Sequence, residues 1–134
     1  MTMYLLDTNI CIYVINGLSP KIVDTFKSLP IGEIALSAVT LAELEYGASK
    51  SAHRDRNRLM LIGFASPFKV LPFDGRDAEM FGILRAHLER AGTPIGTYDM
   101  QIAAQALARS CVLVTNNVRE FERVPGLKIE SWGA

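Results

Sequence analysis

The chain has 134 residues, enough to bury a core without disulfides or a structural metal. Apolar residues make up 49% and charged residues 21%, a balance that excludes a disordered or low-complexity chain. The 14 basic and 14 acidic residues leave no net charge, so composition itself does not point to nucleic acid, and any such surface must come from local charge or bound cations.

No apolar run approaches the ~20 residues that span a bilayer. The stretch MTMYLLDTNICIYVI is apolar but carries Asp7 and Asn9, and it lacks the basic start and small-residue cleavage site of a signal peptide. No membrane association and a cytoplasmic location are expected. Cys11 and Cys111 stand far apart in apolar surroundings with no zinc spacing, and read as reduced packing residues.

In chain order, Met3 to Leu6 reads as a short buried strand ending at the polar cluster Asp7-Thr8-Asn9. Asn9 to Asn16 has helical spacing and is closed by Gly17. Pro20 opens a helix to about Leu29. Glu33 to Ser37 is the next strand, and Ser37 or Thr40 can cap a helix that carries Glu43 and stops near Gly47. Asp55 to Ala65 reads as helix and Lys69 to Pro72 as strand. Asp74 to Arg90 is amphipathic, with Met80, Phe81, Leu84 and Leu88 on one side. After the Pro/Gly loop 93–97, Tyr98 to Arg109 is an alanine-rich helix, with Thr97 as the expected N-cap. Val112 to Val114 is a strand ending at Thr115-Asn116-Asn117, and Lys128 to Ser131 is the last.

Alternating strands and helices without a linker predict one α/β domain over residues 1–134, with a mostly parallel sheet covered on both faces. Ligands in such sheets bind beyond the carboxyl ends of the strands. Those ends are where the unusual polar residues fall. Asp7 follows the first strand, Glu43 lies in the helix after the second, and Asp99 sits in the first turn of a helix, where the macrodipole favours a carboxylate.

Three converging carboxylates repel one another unless a cation offsets their charge. Oxygen donors of this type suit Mg²⁺ or Mn²⁺. The chemistry that fits is metal-assisted hydrolysis of a phosphodiester. Each acid also has a plainer role: Asp7 as a helix cap, Glu43 as a solvated helix charge, Asp99 as an ordinary first-turn acid. Other routes have no support. The chain lacks a phosphate-binding G-x-x-x-x-G-K loop, a G-x-G-x-x-G turn and a G-x-S-x-G elbow, and His53 and His87 read as surface helix residues.

The combination resembles PIN-domain proteins of the VapC type, the toxin half of VapBC toxin–antitoxin pairs. LLDTNICIYVI is similar to the first motif of that family, SAVTLAELEYGASK to the second, GTPIGTYDMQIAAQALA to the third, and VTNNVREFERVPGLKIESW to the fourth and the closing strand. The resemblance implies a three-layer α/β/α sandwich and a Mg²⁺- or Mn²⁺-dependent endoribonuclease acting on structured RNA such as tRNA. It implies Asp7 and Asp99 as main metal ligands and Glu43 as the third acid. It further implies a cognate VapB antitoxin, a homodimer or toxin–antitoxin hetero-oligomer, and operator DNA bound only through the antitoxin.

The fourth motif departs from the family's Thr-x-Asp by placing Asn117 where an acid often stands. Glu120 could supply that acid, or could face solvent beside Arg119 and Arg123; one metal or two remain open alternatives. Thr8, Asn9, Thr115 and Asn117 could hydrogen bond the acids, or simply end strands. Lys50, Arg54, Arg56 and Arg58 could contact RNA phosphates or form a solvated helix face. The competing function is a non-catalytic PIN-like module that binds RNA or protein, which would have no need for three mutually repelling acids.

Overall fold

The computed structural model describes residues 2–133. Five strands form one sheet in the order β3-β2-β1-β4-β5, where β1 is Tyr4–Leu6, β2 Ile34–Ser37, β3 Lys69–Leu71, β4 Val112–Val114 and β5 Lys128–Glu130. Every pairing among the described residues is parallel, so the sheet is wholly rather than mostly parallel. All carboxyl ends therefore lie along one edge.

Strand side chains alternate between two apolar clusters, as a pleat requires. Leu5 pairs with Ala35 and Leu113, and all three join Leu71 in one cluster. Leu6 pairs with Val114, and both join Ile34 and Leu36 in the other. The first cluster is closed by Leu84 and Leu88 of α5 (Gly75–Arg90) and by Met100, Ile102 and Ala103 of α6 (Thr97–Arg109). The second is closed by Ile10 and Cys11 of α1 (Thr8–Asn16), Ile22 of α2 (Pro20–Ser28), Leu44 of α3 (Ala38–Lys50) and Leu61 of α4 (Arg54–Ala65). The result is the expected three-layer α/β/α sandwich. Fully burying one such leucine stabilises it by about 1.5–3 kcal/mol, which places the weight of the fold in these two layers. Cys11 and Cys111 are buried and unpaired, as expected.

Local signals set the helix ends. The Asp7 carboxylate accepts from the Ile10 N–H at 2.8 Å and caps α1. Gly17 ends α1 at φ 62°, and the Leu18 N–H returns to the Tyr13 carbonyl, a closure that favours glycine. Ser37, not Thr40, caps α3 through the Val39 N–H at 3.0 Å. Asp74 and Asp77 exchange hydrogen bonds as a capping box at the start of α5.

Two expectations need correction. Helix α3 does not stop near Gly47 but runs to Lys50, because Ala48 beyond the glycine is buried and continues the packed face. The N-cap of α6 is Gly96 rather than Thr97, which is already the first helical residue. A short helix, α7 (Val118–Phe121), has no signal in the sequence: four residues are too few to show a period, and the buried Phe121 holds it.

Candidate active site

The parallel sheet brings Asp7 and Thr115 side by side, since each directly follows one of the neighbouring strands β1 and β4. The Asp7 N–H bonds the Val114 carbonyl at 3.0 Å, which locks the two strand ends together. This junction is where the connection after β1 runs to β2 on one side and the connection after β4 runs to β5 on the other, the position at which open α/β sheets hold ligands.

Asp7 is buried, with 5% of its surface exposed. Burial pushes its carboxyl above the ordinary value, the Thr115 hydroxyl and the Ile10 N–H pull it back, and the nearby Glu43 charge raises it again. Helix cap and candidate ligand are therefore not rival roles: one oxygen caps α1, and the carboxylate still faces the other acids. Glu43 is brought in by Thr8, whose Oγ1 donates to Glu43 Oε1 at 2.7 Å. Thirty-five residues separate the two in sequence, so this bond fixes the first turn of α1 against α3.

Asp99 comes from the opposite layer. Helices α5 and α6 pack antiparallel: Arg109 at the end of α6 bonds Asp74 and Asp77 at the start of α5. Helix α6 leads directly into the amino end of β4, so its first turn lies at the opposite, carboxyl edge. Burial, then the Glu120 carboxylate, then Asp7 and Glu43 push the Asp99 carboxyl up to about 7. Asp99 thus senses all three other acids. No Lys or Arg pairs with any of the four among the described residues.

Asn117 and Glu120, the two alternatives for the fourth position, are bonded to each other. The Asn117 side-chain amide donates to Glu120 Oε2. The other Glu120 oxygen accepts from the Gly96 N–H at 3.1 Å. Glu120 is half-buried against the loop rather than paired with Arg119 or Arg123. Thr115 Oγ1 accepts from the Asn117 N–H at 3.0 Å and so sets the turn that carries the amide. Asn9 is exposed and bonds none of the acids among the described residues.

A PIN domain model matches residues 4–127. The chain belongs to the PIN-domain family. Within it, the chain is 46% identical over 132 residues to the tRNA(fMet)-specific endonuclease VapC of Salmonella typhimurium, covering 98% of this chain and 99% of that protein. It is 41% identical over 130 residues to Ribonuclease VapC2 of Rickettsia felis, covering 96% and 97%. The fold superposes on the crystal structure of DNA-bound VapBC from Salmonella typhimurium with a TM-score of 0.93 at 45% identity, covering 99% of this chain and 100% of that one. The resemblance to the VapC branch of PIN-domain proteins is therefore correct.

The basic cluster is less uniform than the PIN-domain sequence suggested. Arg58 pairs with Glu45 through Nε at 3.1 Å, and the Lys50 ammonium lies 4.9 Å from the centre of the Tyr46 ring. Arg54 and Arg56 are exposed and make no such contact among the described residues. Two residues with a part in the site escaped the sequence reading. Gly96 gives its N–H to Glu120, and a Cβ built there would lie 3.5 Å from Asp99 Oδ2 and 3.9 Å from Glu120 Oε1. Arg123 bonds the Pro94 carbonyl at 3.0 Å. The available signal was the Gly-x-Pro-x-Gly pattern just before Asp99, which marks a chain that needs outside support.

Proposed function

We propose that this VapC-type PIN domain is the toxin endoribonuclease of a toxin–antitoxin pair, cleaving phosphodiester bonds of structured RNA with a divalent cation held at the carboxyl edge of the sheet. The observation that carries this reading is the group of Asp7, Glu43, Asp99 and Glu120 with no basic partner among the described residues. Burial first, and then the neighbouring carboxylates, raise the Asp99 carboxyl, and the donors are all oxygens, which suits Mg²⁺ or Mn²⁺. No three of these side chains stand at chelating distance among the described residues. A Mg²⁺ ion keeps several waters and takes one or two carboxylates directly, so it would not require three.

In this reading Asp7 and Asp99 hold the ion, and Glu43 and Glu120 hold its waters. A bound cation would lower the pKa of a water and offset charge building on the phosphate. The chain's own part is to present the acids in fixed positions. Thr8 aims Glu43, Asn117 and Gly96 aim Glu120, and the α1 cap holds Asp7. A binding module without chemistry would have no use for four repelling acids aimed this way.

The substrate proposed is a tRNA, on the strength of the 46% identity to a tRNA(fMet)-specific endonuclease over nearly the whole of both chains. The proposed partner is a VapB antitoxin, since the similar chains of known structure from Salmonella typhimurium and Rickettsia felis are VapBC complexes bound to DNA. A toxin–antitoxin hetero-oligomer built on a toxin homodimer is proposed, with DNA reached through the antitoxin. Among the described residues no helix is long and apolar enough to cross a membrane, and a cytoplasmic location is proposed with the substrate.

The test is direct. Purified protein should cut tRNA in Mg²⁺ or Mn²⁺, and EDTA or Asp7→Asn should stop it. An Asp7→Asn protein that cuts like wild type would overturn the assignment of the site, and a metal-bound wild type that cuts no RNA would overturn the function.

A further inference from the structure

The start of α6 is not held by its own residues. Its N-cap is Gly96, which has no side chain to cap the first turn. The loop ahead of it is tied to α5 only at its beginning, where the Thr93 N–H bonds the Leu88 carbonyl at 2.9 Å. Beyond that point its ties run to α7 and the turn that follows. Glu120 takes the Gly96 N–H at 3.1 Å, and Arg123 Nη1 donates to the Pro94 carbonyl at 3.0 Å.

This support is itself rigid. Phe121 and Val124 are buried in the same apolar cluster as Ile95 and Met100, the residues just before and just inside α6. Glu120 in α7 and Arg123 in the turn after it, where the Arg123 N–H bonds the Glu120 carbonyl at 3.2 Å, both reach the loop and so face one side of this segment. That side meets the loop at two points, one on either flank of the buried Ile95. A single bond would let the loop pivot; two bonds across an apolar anchor do not.

We propose that Arg123 is a positioning residue, which clamps Pro94 to the α7 turn and so fixes the first turn of α6, with Asp99, opposite Glu120. Its side chain bonds none of the four acids, and it acts through the loop backbone. The proposal rests on the ribonuclease reading above for its kinetic part only. Misplacing a reacting group by about 1 Å costs on the order of a hundredfold. Loss of one of two clamps should cost less, about tenfold, as for residues that orient ligands from behind.

The test compares Arg123→Met and Arg123→Lys with wild type in two measurements. Amide hydrogen exchange should quicken about tenfold at Gly96 to Met100 in Arg123→Met and stay unchanged at Leu5, Leu6 and Leu113. In Mg²⁺-dependent tRNA cleavage, kcat should fall about tenfold with KM within twofold. Arg123→Lys should recover most of both, because one donor suffices for one carbonyl. Unchanged exchange in the loop overturns the clamp. A raised KM with a shallower salt dependence and unchanged kcat also overturns it, and makes Arg123 a phosphate contact. If wild type cuts no RNA, the ribonuclease reading fails, and the exchange measurement still decides the clamp.

Discussion

Asp99 and Glu120 converge on the same side of Gly96, 3.5 and 3.9 Å from where a Cβ there would stand, and burial together with the facing Glu120 carboxylate pushes Asp99 up to about 7. The unfolded chain would titrate this group near ~3.9. A carboxyl raised in the fold adds stability that is fully present below the unfolded value and is lost as pH rises through about 7. Asp7 is raised as well and acts in the same direction. Metal-free protein should therefore melt at a lower temperature at pH 8 than at pH 5.5. Asp99→Asn should flatten that slope and raise Tm at pH 8, and Mg²⁺ should raise the wild-type Tm at pH 8 and release protons when added at pH 6. Melting curves in EDTA check this; an Asp99→Asn protein whose Tm follows wild type at every pH would refute it.

Thr8 should matter more for activity than for stability. Its hydroxyl donates to Glu43 at 2.7 Å and is the one side-chain hydrogen bond recorded for Glu43 among the described residues. Thr8→Val keeps the shape and removes the donor. Metal affinity or kcat should fall by about tenfold to a hundredfold, the usual loss when an orienting partner is removed. Thr8→Ser should retain most of both. Metal titration and single-turnover cleavage separate the two effects; equal activity in Thr8→Val would mean that Glu43 is not held by this bond.

How far the sequence carried depended on whether a feature is local or made by packing. Strand β1, the Gly17 stop and the Pro20 start follow from nearest neighbours, and so did the sandwich, through the alternation of apolar runs with helical spacing. Asp7 and Asp99 were readable because they stand at a strand end and in a helix's first turn. The partnership of Asn117 with Glu120 was not, since it depends on α7, a helix too short for any period. Nor was the link between Thr8 and Glu43, which joins elements 35 residues apart. The basic residues after Glu43 illustrate the opposite error: adjacency in sequence grouped four cations, two of which the fold commits to Glu45 and Tyr46.

Asp77 is the main polar support of the α5–α6 pair. It is fully buried and receives Arg109 Nη2 at 3.0 Å, Arg109 Nε at 3.2 Å from its other oxygen, and Gln105 Nε2 at 3.2 Å. Burial would raise its carboxyl, but the Arg109, Asp74 and Gln105 hydrogen bonds outweigh that and hold it below the ordinary value. Stability from this group is thus present above ~3.9 and lost as pH falls through the lower, folded value. Asp77→Ala should cost up to about 3–5 kcal/mol, because it leaves the mostly buried Arg109 charge with only the half-exposed Asp74 carboxylate as partner. Urea unfolding at pH 7 measures it. A loss below 1 kcal/mol, on the scale of an exposed pair, would show that Arg109 finds other partners.

Arg54 and Arg56, exposed at the start of α4, make no ion pair among the described residues and are the expected phosphate contacts of the proposed RNA substrate. The protein has no net charge, so phosphate contacts must come from a few such residues. Each phosphate contact contributes roughly 0.7–0.9 to the slope of log affinity against log salt. Arg54→Ala/Arg56→Ala should therefore lower that slope by about 1.5 and raise KM for tRNA at physiological salt, with kcat nearly unchanged. Arg58→Ala should do much less, because Arg58 already neutralises Glu45. The contrast between the two variants is the informative quantity: nucleic acid should feel the loss of the uncommitted pair and scarcely notice the committed one. KM measured across a salt series reads it directly. If the double variant and Arg58→Ala leave the slope equally unchanged, this end of α4 is a solvated face, and the RNA path lies elsewhere on the carboxyl edge.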